Sequence, residues 1–183
     1  MLGKIVIPAS VGAISSLCFQ NCIKLEEVIF NQGSTVNVIN FGTFENCMKL
    51  ETIKLWRRVQ NIRTNAFKNC LSLQKFDGSY IQYYHDCAFA NCTNLREVNV
   101  DIDVIIQITA DTFFGCIFPM LKLTFSDDME ELLSQLPNRP LYWLCQGSTN
   151  SDVMDSMMKI VQFLSKEDMP RRLMTMKTRS WGS

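Results

Sequence analysis

Apolar residues recur along this chain at a period far longer than a helix or a strand. Phe19, Phe44, Phe67, Phe89 and Phe113 are spaced 25, 23, 22 and 24 residues apart. Counted from each Phe, an apolar residue stands eight positions before it (Val11, Val36, Val59, Ile81, Ile105) and another five before it (Ile14, Ile39, Ile62, Tyr84, Ile108). Six positions after it comes Leu25, Leu50, Leu73 or Leu95. Nine and eleven after it come Val28 and Phe30, Ile53 and Leu55, Phe76 and Gly78, and Val98 and Val100. The alternation of that last pair with polar residues predicts a short half-buried strand. A fixed period in the twenties predicts a solenoid, each repeat being one turn stacked on the next. The stretch around each Phe, for example Asn65-Ala66-Phe67-Lys68-Asn69-Cys70, is too short for a regular helix and suits one helical or 3₁₀ turn. Its Phe fills the coil, contributing roughly 1.5–3 kcal/mol per repeat.

The array starts in mid-repeat, because Leu2, Ile5 and Ile7 match the Leu, plus-nine and plus-eleven positions. No polar cap precedes them, so the pattern expects a truncated start or a second chain or domain over that end. At the other end the fifth copy slips by one residue after Cys116, Leu123 and Phe125 resume the strand pattern, and the solenoid is expected to span residues 1–126 with about five repeats and an incomplete first turn. A helical C-terminal cap is expected over 127–166. Asp127-Asp128-Met129-Glu130 opens like a capping box, and Met129, Leu132, Leu133 and Leu136 follow at helical spacing until Pro137 and Pro140. A second helix is read over Asp152 to Leu164, with Met154, Met157, Met158, Val161 and Leu164 on one stripe, either a core stripe or an adaptable groove. Residues 167–183 read as a solvated basic tail, with Arg171, Arg172, Lys177 and Arg179.

Composition changes this picture little. The 183 residues are 47% hydrophobic and 20% charged, with 18 basic and 18 acidic side chains, so the total predicts no nucleic-acid or acidic-lipid partner. No apolar run reaches the roughly 18–20 residues of a membrane-spanning helix, and the N-terminus lacks a secretory pattern. An intracellular location is therefore expected of a complete chain, and a cell-surface one if an N-terminal portion is missing. Of the eight cysteines, Cys22, Cys47, Cys70, Cys92 and Cys116 hold one phase of the repeat, which predicts a buried thiol ladder rather than disulfides. Cys18 and Cys87 read as small core residues in the place that Ala66 takes elsewhere. Without a Cys-x-x-Cys pair and with His85 as the sole histidine, zinc spacing is absent.

These motifs resemble the BspA-type leucine-rich repeat family, whose turns read roughly Leu-x-x-Ile-x-Ile-Pro-x-x-Val-x-x-Ile-x-x-x-Ala-Phe-x-x-Cys. Residues 2–14 carry the first part and Asn65 to Cys70 the second, and the likeness runs to about residue 125. The resemblance implies a right-handed solenoid of short strands and loops, an interaction role often found at cell surfaces, and no catalytic residues. Tyr83-Tyr84-His85, Gly78 and the slipped fifth copy depart from it. Residues 137–165 are faintly similar to one degenerate ankyrin unit, as a cap on the array.

No phosphate loop, zinc-protease or serine-hydrolase motif is present, and His85 has no nucleophile or carboxylate placed beside it by a recognisable motif. The expectation is a protein that is not an enzyme and needs no cofactor or metal. Stacked strands give a continuous surface for a protein ligand. Its outward residues include Glu27, Ile29 and Asn31, then Thr52, Lys54 and Trp56, then Lys75, Asp77 and Ser79, then Glu97, Asn99 and Asp101. Trp56 with Arg57 and Arg58 stands out, since Trp and Arg dominate interface energetics, although a Trp also lies readily against neighbouring Lys and Arg stems. Two readings stand side by side. One is a protein-recognition module with Trp56, Lys54 and Arg57 as anchors, and the other is a structural segment of a longer surface or scaffold protein.

Overall fold

The structure, a computed structural model, describes residues 3–101, 104, 107–116 and 120–124. The expected helical cap and basic tail lie outside the described residues, as do Ile105, Ile117 to Pro119 and Phe125.

The plus-nine and plus-eleven pattern forms strands β1 (Lys4–Ile7), β2 (Glu27–Phe30), β4 (Thr52–Lys54), β6 (Lys75–Gly78), β8 (Glu97–Asp101) and β10 (Met120–Thr124). Shorter strands β3 (Val38–Ile39), β5 (Asn61–Ile62), β7 (Tyr83–Tyr84) and β9 (Gln107–Ile108) form on the other side of the coil. Every pairing is parallel and joins one turn to the next, with Val28 beside Ile53 and Ile39 beside Ile62. The short strands make one continuous sheet in the order β3-β5-β7-β9. The long strands do not. They form two sheets, β1-β2-β4 and β10-β8-β6, and the ladder is broken between β4 and β6. The break coincides with Phe76, the one aromatic in a column otherwise made of Val28, Ile53 and Val98; its ring stands edge-on to Phe89 at 4.7 Å.

Between the sheets lies the expected core. Leu25, Leu50, Leu73 and Leu95 are buried, as are Ile14, Ile39, Ile62, Tyr84 and Ile108. The repeated Phe rings form a stack through the coil, with centroids 5.3 Å (Phe19–Phe44), 5.4 Å (Phe44–Phe67), 5.1 Å (Phe67–Phe89) and 5.5 Å (Phe89–Phe113) apart. The cysteine column is built as a ladder of weak hydrogen bonds. The Cys47 thiol donates to the Phe19 carbonyl (3.1 Å), Cys70 to Phe44 (3.2 Å), Cys92 to Phe67 (3.1 Å) and Cys116 to Phe89 (3.0 Å). Cys47, Cys70 and Cys92 are buried, while Cys22 and Cys116 at the two ends are half-buried.

Two expectations need correction. Cys18 is exposed and Cys87 half-buried, so neither is a core residue. The small position before Phe44, Phe67, Phe89 and Phe113 is buried and belongs to Thr43, Ala66, Ala88 and Thr112; Cys18 holds it exposed on the first turn, and Cys87 stands two before its Phe with φ +55°. The Phe stretch is a 3₁₀ helix only in the fifth copy (Ala110–Phe113). Elsewhere it is a chain of tight turns, such as Ala66 N–H to Arg63 O, Lys68 N–H to Asn65 O and Cys70 N–H to Phe67 O. The helix cannot continue because two residues per copy are left-handed: Leu17 and Asn21, Gly42 and Asn46, Asn65 and Asn69, Cys87 and Asn91. Asn tolerates that conformation better than most residues. Finally, the departures at Gly78 and Tyr84 do not disturb the coil, because they compensate one another. Tyr84 is buried where the other turns carry Ile, and its hydroxyl donates to the Gly78 carbonyl (3.3 Å). A Cβ on Gly78 would overlap that hydroxyl.

The left-handed Asn residues do a second thing. Asn46 Nδ2 donates to Asn21 Oδ1 (2.8 Å), Asn69 Nδ2 to Asn46 Oδ1 (2.7 Å), and Asn91 Nδ2 to Asn69 Oδ1 (3.0 Å). This amide ladder runs parallel to the thiol ladder one residue away. It stops at Gly115, which keeps the left-handed conformation (φ +73°) but leaves room for Asn91 Oδ1. The slipped fifth copy rejoins the stack on β10, whose register sets Leu121 beside Val98 and Leu123 beside Val100.

Candidate functional site

The strand face presents its residues in two rows. In the first, Lys4 bonds to Glu27 (2.8 Å), Thr52 follows, and Lys75 reaches Glu97 (3.3 Å). The Lys4 ammonium is the main reason that the Glu27 carboxyl titrates below its ordinary range, with Lys54 adding to it. In the second row come Ile29, Lys54, Asp77 and Asn99, the last pair in register on β6 and β8. Lys54 and Asp77 would be neighbours in an unbroken sheet. Because β4 and β6 are not laddered together, they form no ion pair, and Lys54 has none among the described residues. The Asp77 carboxylate instead accepts from the Ser79 hydroxyl (2.6 Å) and backbone N–H (3.2 Å) of its own turn.

The break opens a cleft of about 150 Å³. Buried Ile53, Val59 and Ile81 line its base with half-buried Leu55, and Trp56, Tyr80, Lys54 and Asp77 surround it. Unequal corners make this shape. After Leu55 the chain takes three residues, Trp56 to Arg58, to reach Val59, closing with Val59 N–H to Trp56 O (2.9 Å). One turn further on, two residues, Ser79 and Tyr80, reach Ile81, closing with Ile81 N–H to Gly78 O (2.9 Å). The shorter corner gives Trp56 no counterpart to stack on.

Of the residues singled out from the sequence, Lys54, Trp56 and Asp77 converge on this cleft. Arg57 lies over the Trp56 ring, its guanidinium carbon 5.4 Å from the centroid, a cation–π distance. Trp56 itself is half-buried and packs against the core. Arg58 is exposed at the corner but does not line the cleft, and neither does Thr52. Lys75 is bound to Glu97, and Glu97 and Asn99 sit half-buried one turn away on β8. Tyr80, 54% exposed, was missed by residue-type reasoning, although the shortest Phe spacing, 22 residues, falls on its turn. His85 stands on the other side, with Arg63 Nη1 3.4 Å from its Nε2. Burial first, then the Arg63 charge, pushes its pKa down. No helix among the described residues is long and apolar enough to cross a membrane.

The model of the BspA type leucine rich repeat region matches residues 1–119 in six copies, so this chain belongs to the BspA-type leucine-rich repeat family. No curated protein matches it. Among solved structures, it is similar to a leucine rich cell surface protein from Faecalibacterium prausnitzii A2-165, with TM-score 0.54 and 24% identity, covering 68% of this chain and 32% of that one. The pneumococcal vaccine antigen PcpA superposes with TM-score 0.55 at 16% identity, covering 75% of this chain and 40% of the antigen. A leucine rich repeat protein from T. pallidum gives 0.51 at 19% identity, over 75% of this chain and 85% of its own. At these identities the likeness is one of fold. The chain spans about a third of the Faecalibacterium protein's length and two fifths of the pneumococcal antigen's.

Proposed function

We propose that this protein is a non-catalytic recognition module that binds a protein partner on its strand face, with Trp56, Lys54 and Arg57 as anchors. The carrying observation is Lys54 beside Trp56 at the broken ladder, with no ion pair among the described residues, whereas Lys4 and Lys75 on the neighbouring row are each held by a Glu. Thr52, Lys75, Asp77, Glu97, Asn99 and Arg58 form the surrounding contact surface in this reading. Interfaces of this kind concentrate their energy in a few aromatic and Arg side chains within a polar rim. The test compares proteins captured from native lysate by the wild-type chain with those captured by the double variant Trp56→Ala, Lys54→Ala. Loss of specific captured species, with the native circular-dichroism spectrum retained at the assay temperature, is the expected result. Unchanged capture would refute the assignment.

A second reading has one observation in its favour. The chain spans only a third of a longer cell surface protein of the same fold, and a structural segment of such a protein would need no partner of its own. Trp56 lying under Arg57 against the core then serves packing alone. The same double variant separates the two, because a packing role lowers stability and leaves capture unchanged.

A further inference from the structure

We infer that the cleft between β4 and β6 is an anchor pocket for one aromatic or large aliphatic side chain of an extended, acid-flanked peptide segment. This rests on the strand-face reading above for its biological occupant. Size comes first: about 150 Å³ is the scale of a cavity that admits a benzene ring, and far below what a nucleotide or cofactor needs. Chemistry agrees with size. The base is aliphatic and buried at Ile53, Val59 and Ile81, so water there has no polar partner among those side chains and is readily displaced. Trp56 and Tyr80 also line the cleft and supply aromatic surface to an inserted side chain.

Charge selects what flanks the anchor. Lys54 has no ion pair among the described residues, Arg57 lies over the Trp56 ring, and Arg58 is exposed on the same corner. Asp77 opposes them, but its carboxylate is occupied by the Ser79 hydroxyl and N–H. On the row beside the cleft the Lys4–Glu27 and Lys75–Glu97 pairs cancel internally. Lys54, Arg57 and Arg58 against the single charge of Asp77 leave the surroundings of the cleft net positive, which favours carboxylates on either side of the anchor.

The probes are three acetylated, amidated pentapeptides, Gly-Glu-Phe-Glu-Gly, Gly-Glu-Ala-Glu-Gly and Gly-Lys-Phe-Lys-Gly, titrated into the isotope-labelled full chain and followed by amide and indole NMR. The first should give saturable shifts at the Trp56 indole N–H and at the Lys54 and Tyr80 amides. The Ala peptide should bind at least about tenfold more weakly, as expected when a pocket-filling ring is deleted. The Lys-flanked peptide should bind several-fold more weakly, and Lys54→Glu, with its amide spectrum otherwise retained, should reverse that preference. Shifts that do not saturate, or that ignore the central residue, would overturn the pocket. Failure of the peptides while the Trp56, Lys54 double variant still loses its partners would remove the pocket and leave the strand-face reading. Selective peptide binding together with unchanged capture by the double variant would keep the pocket and remove the strand face as the protein-docking surface.

Discussion

Asn69 carries two separable loads, and two substitutions pull them apart. Its backbone is left-handed, φ +61°, and its side chain is the centre of the amide ladder. Nδ2 donates to Asn46 (2.7 Å) and Oδ1 accepts from Asn91 (3.0 Å). Asn69→Gly keeps the backbone conformation without strain and removes both side-chain bonds. The vacated partners are half-buried and regain some water, so the loss should sit near the ordinary net value of a hydrogen bond, about 1–2 kcal/mol for the two together. Asn69→Ala loses the same bonds and keeps a Cβ in the left-handed region without the short polar side chain that lets Asn tolerate it, which places it roughly 1–2 kcal/mol below the Gly variant. The expected order is therefore wild type, then Gly about 1–2 kcal/mol lower, then Ala about 2–4 kcal/mol lower. Urea unfolding followed by far-ultraviolet circular dichroism reads this as a shift in midpoint at constant slope. A Gly variant within about 0.3 kcal/mol of wild type would refute the ladder as a source of stability. An Ala variant no worse than Gly would refute the backbone argument. The fifth copy is nature's version of the first experiment, since Gly115 keeps φ positive and ends the ladder.

Two more predictions concern the core. Burial pushes the Cys47 thiol up to about 12 and holds Cys70 and Cys92 well above their ordinary range, so all three should resist a thiol reagent at pH 8 until denaturant is added, while exposed Cys18 reacts at once; rapid labelling of native protein at Cys47 or Cys70, mapped by mass spectrometry, would contradict the buried ladder. Gly78→Ala should cost about 1–3 kcal/mol, because the new Cβ meets the Tyr84 hydroxyl and crowds the Asn99 carbonyl. Tyr84→Phe removes the first of those two contacts, so the double variant should be more stable than the sum of the single ones by at least about 1 kcal/mol, and simple additivity would refute the compensation.

What the sequence revealed and what it hid follow from one physical distinction. A residue that stacks on its own equivalent in the next turn announces itself by recurring, so Phe, Leu, Ile and Cys spelled out the core columns and the parallel strands before any coordinates. A residue whose partner is a different residue in another part of the coil leaves no such trace. Gly78 and Tyr84 each look like a defect, because their fit depends on the coil bringing a long-strand carbonyl against a short-strand side chain. Cys87 faces away from the core because it stands one residue out of phase, and Cys18, in phase with Ala66, is exposed on the first described turn. The candidate site belongs to the second category. Lys54, Trp56 and Asp77 could be picked by type and alternation, but the cleft they share arises from a corner of three residues stacked on a corner of two, at a ladder break beside Phe76. The 22-residue spacing and the repeat positions at Gly78 and Ile81 record that shortening, but not the cleft that forms where the two corners stack. In a solenoid the regular positions must match their neighbours to close the core. In the proposed reading, selectivity is written where that match fails, and in the described part of this chain the strand ladder fails between β4 and β6.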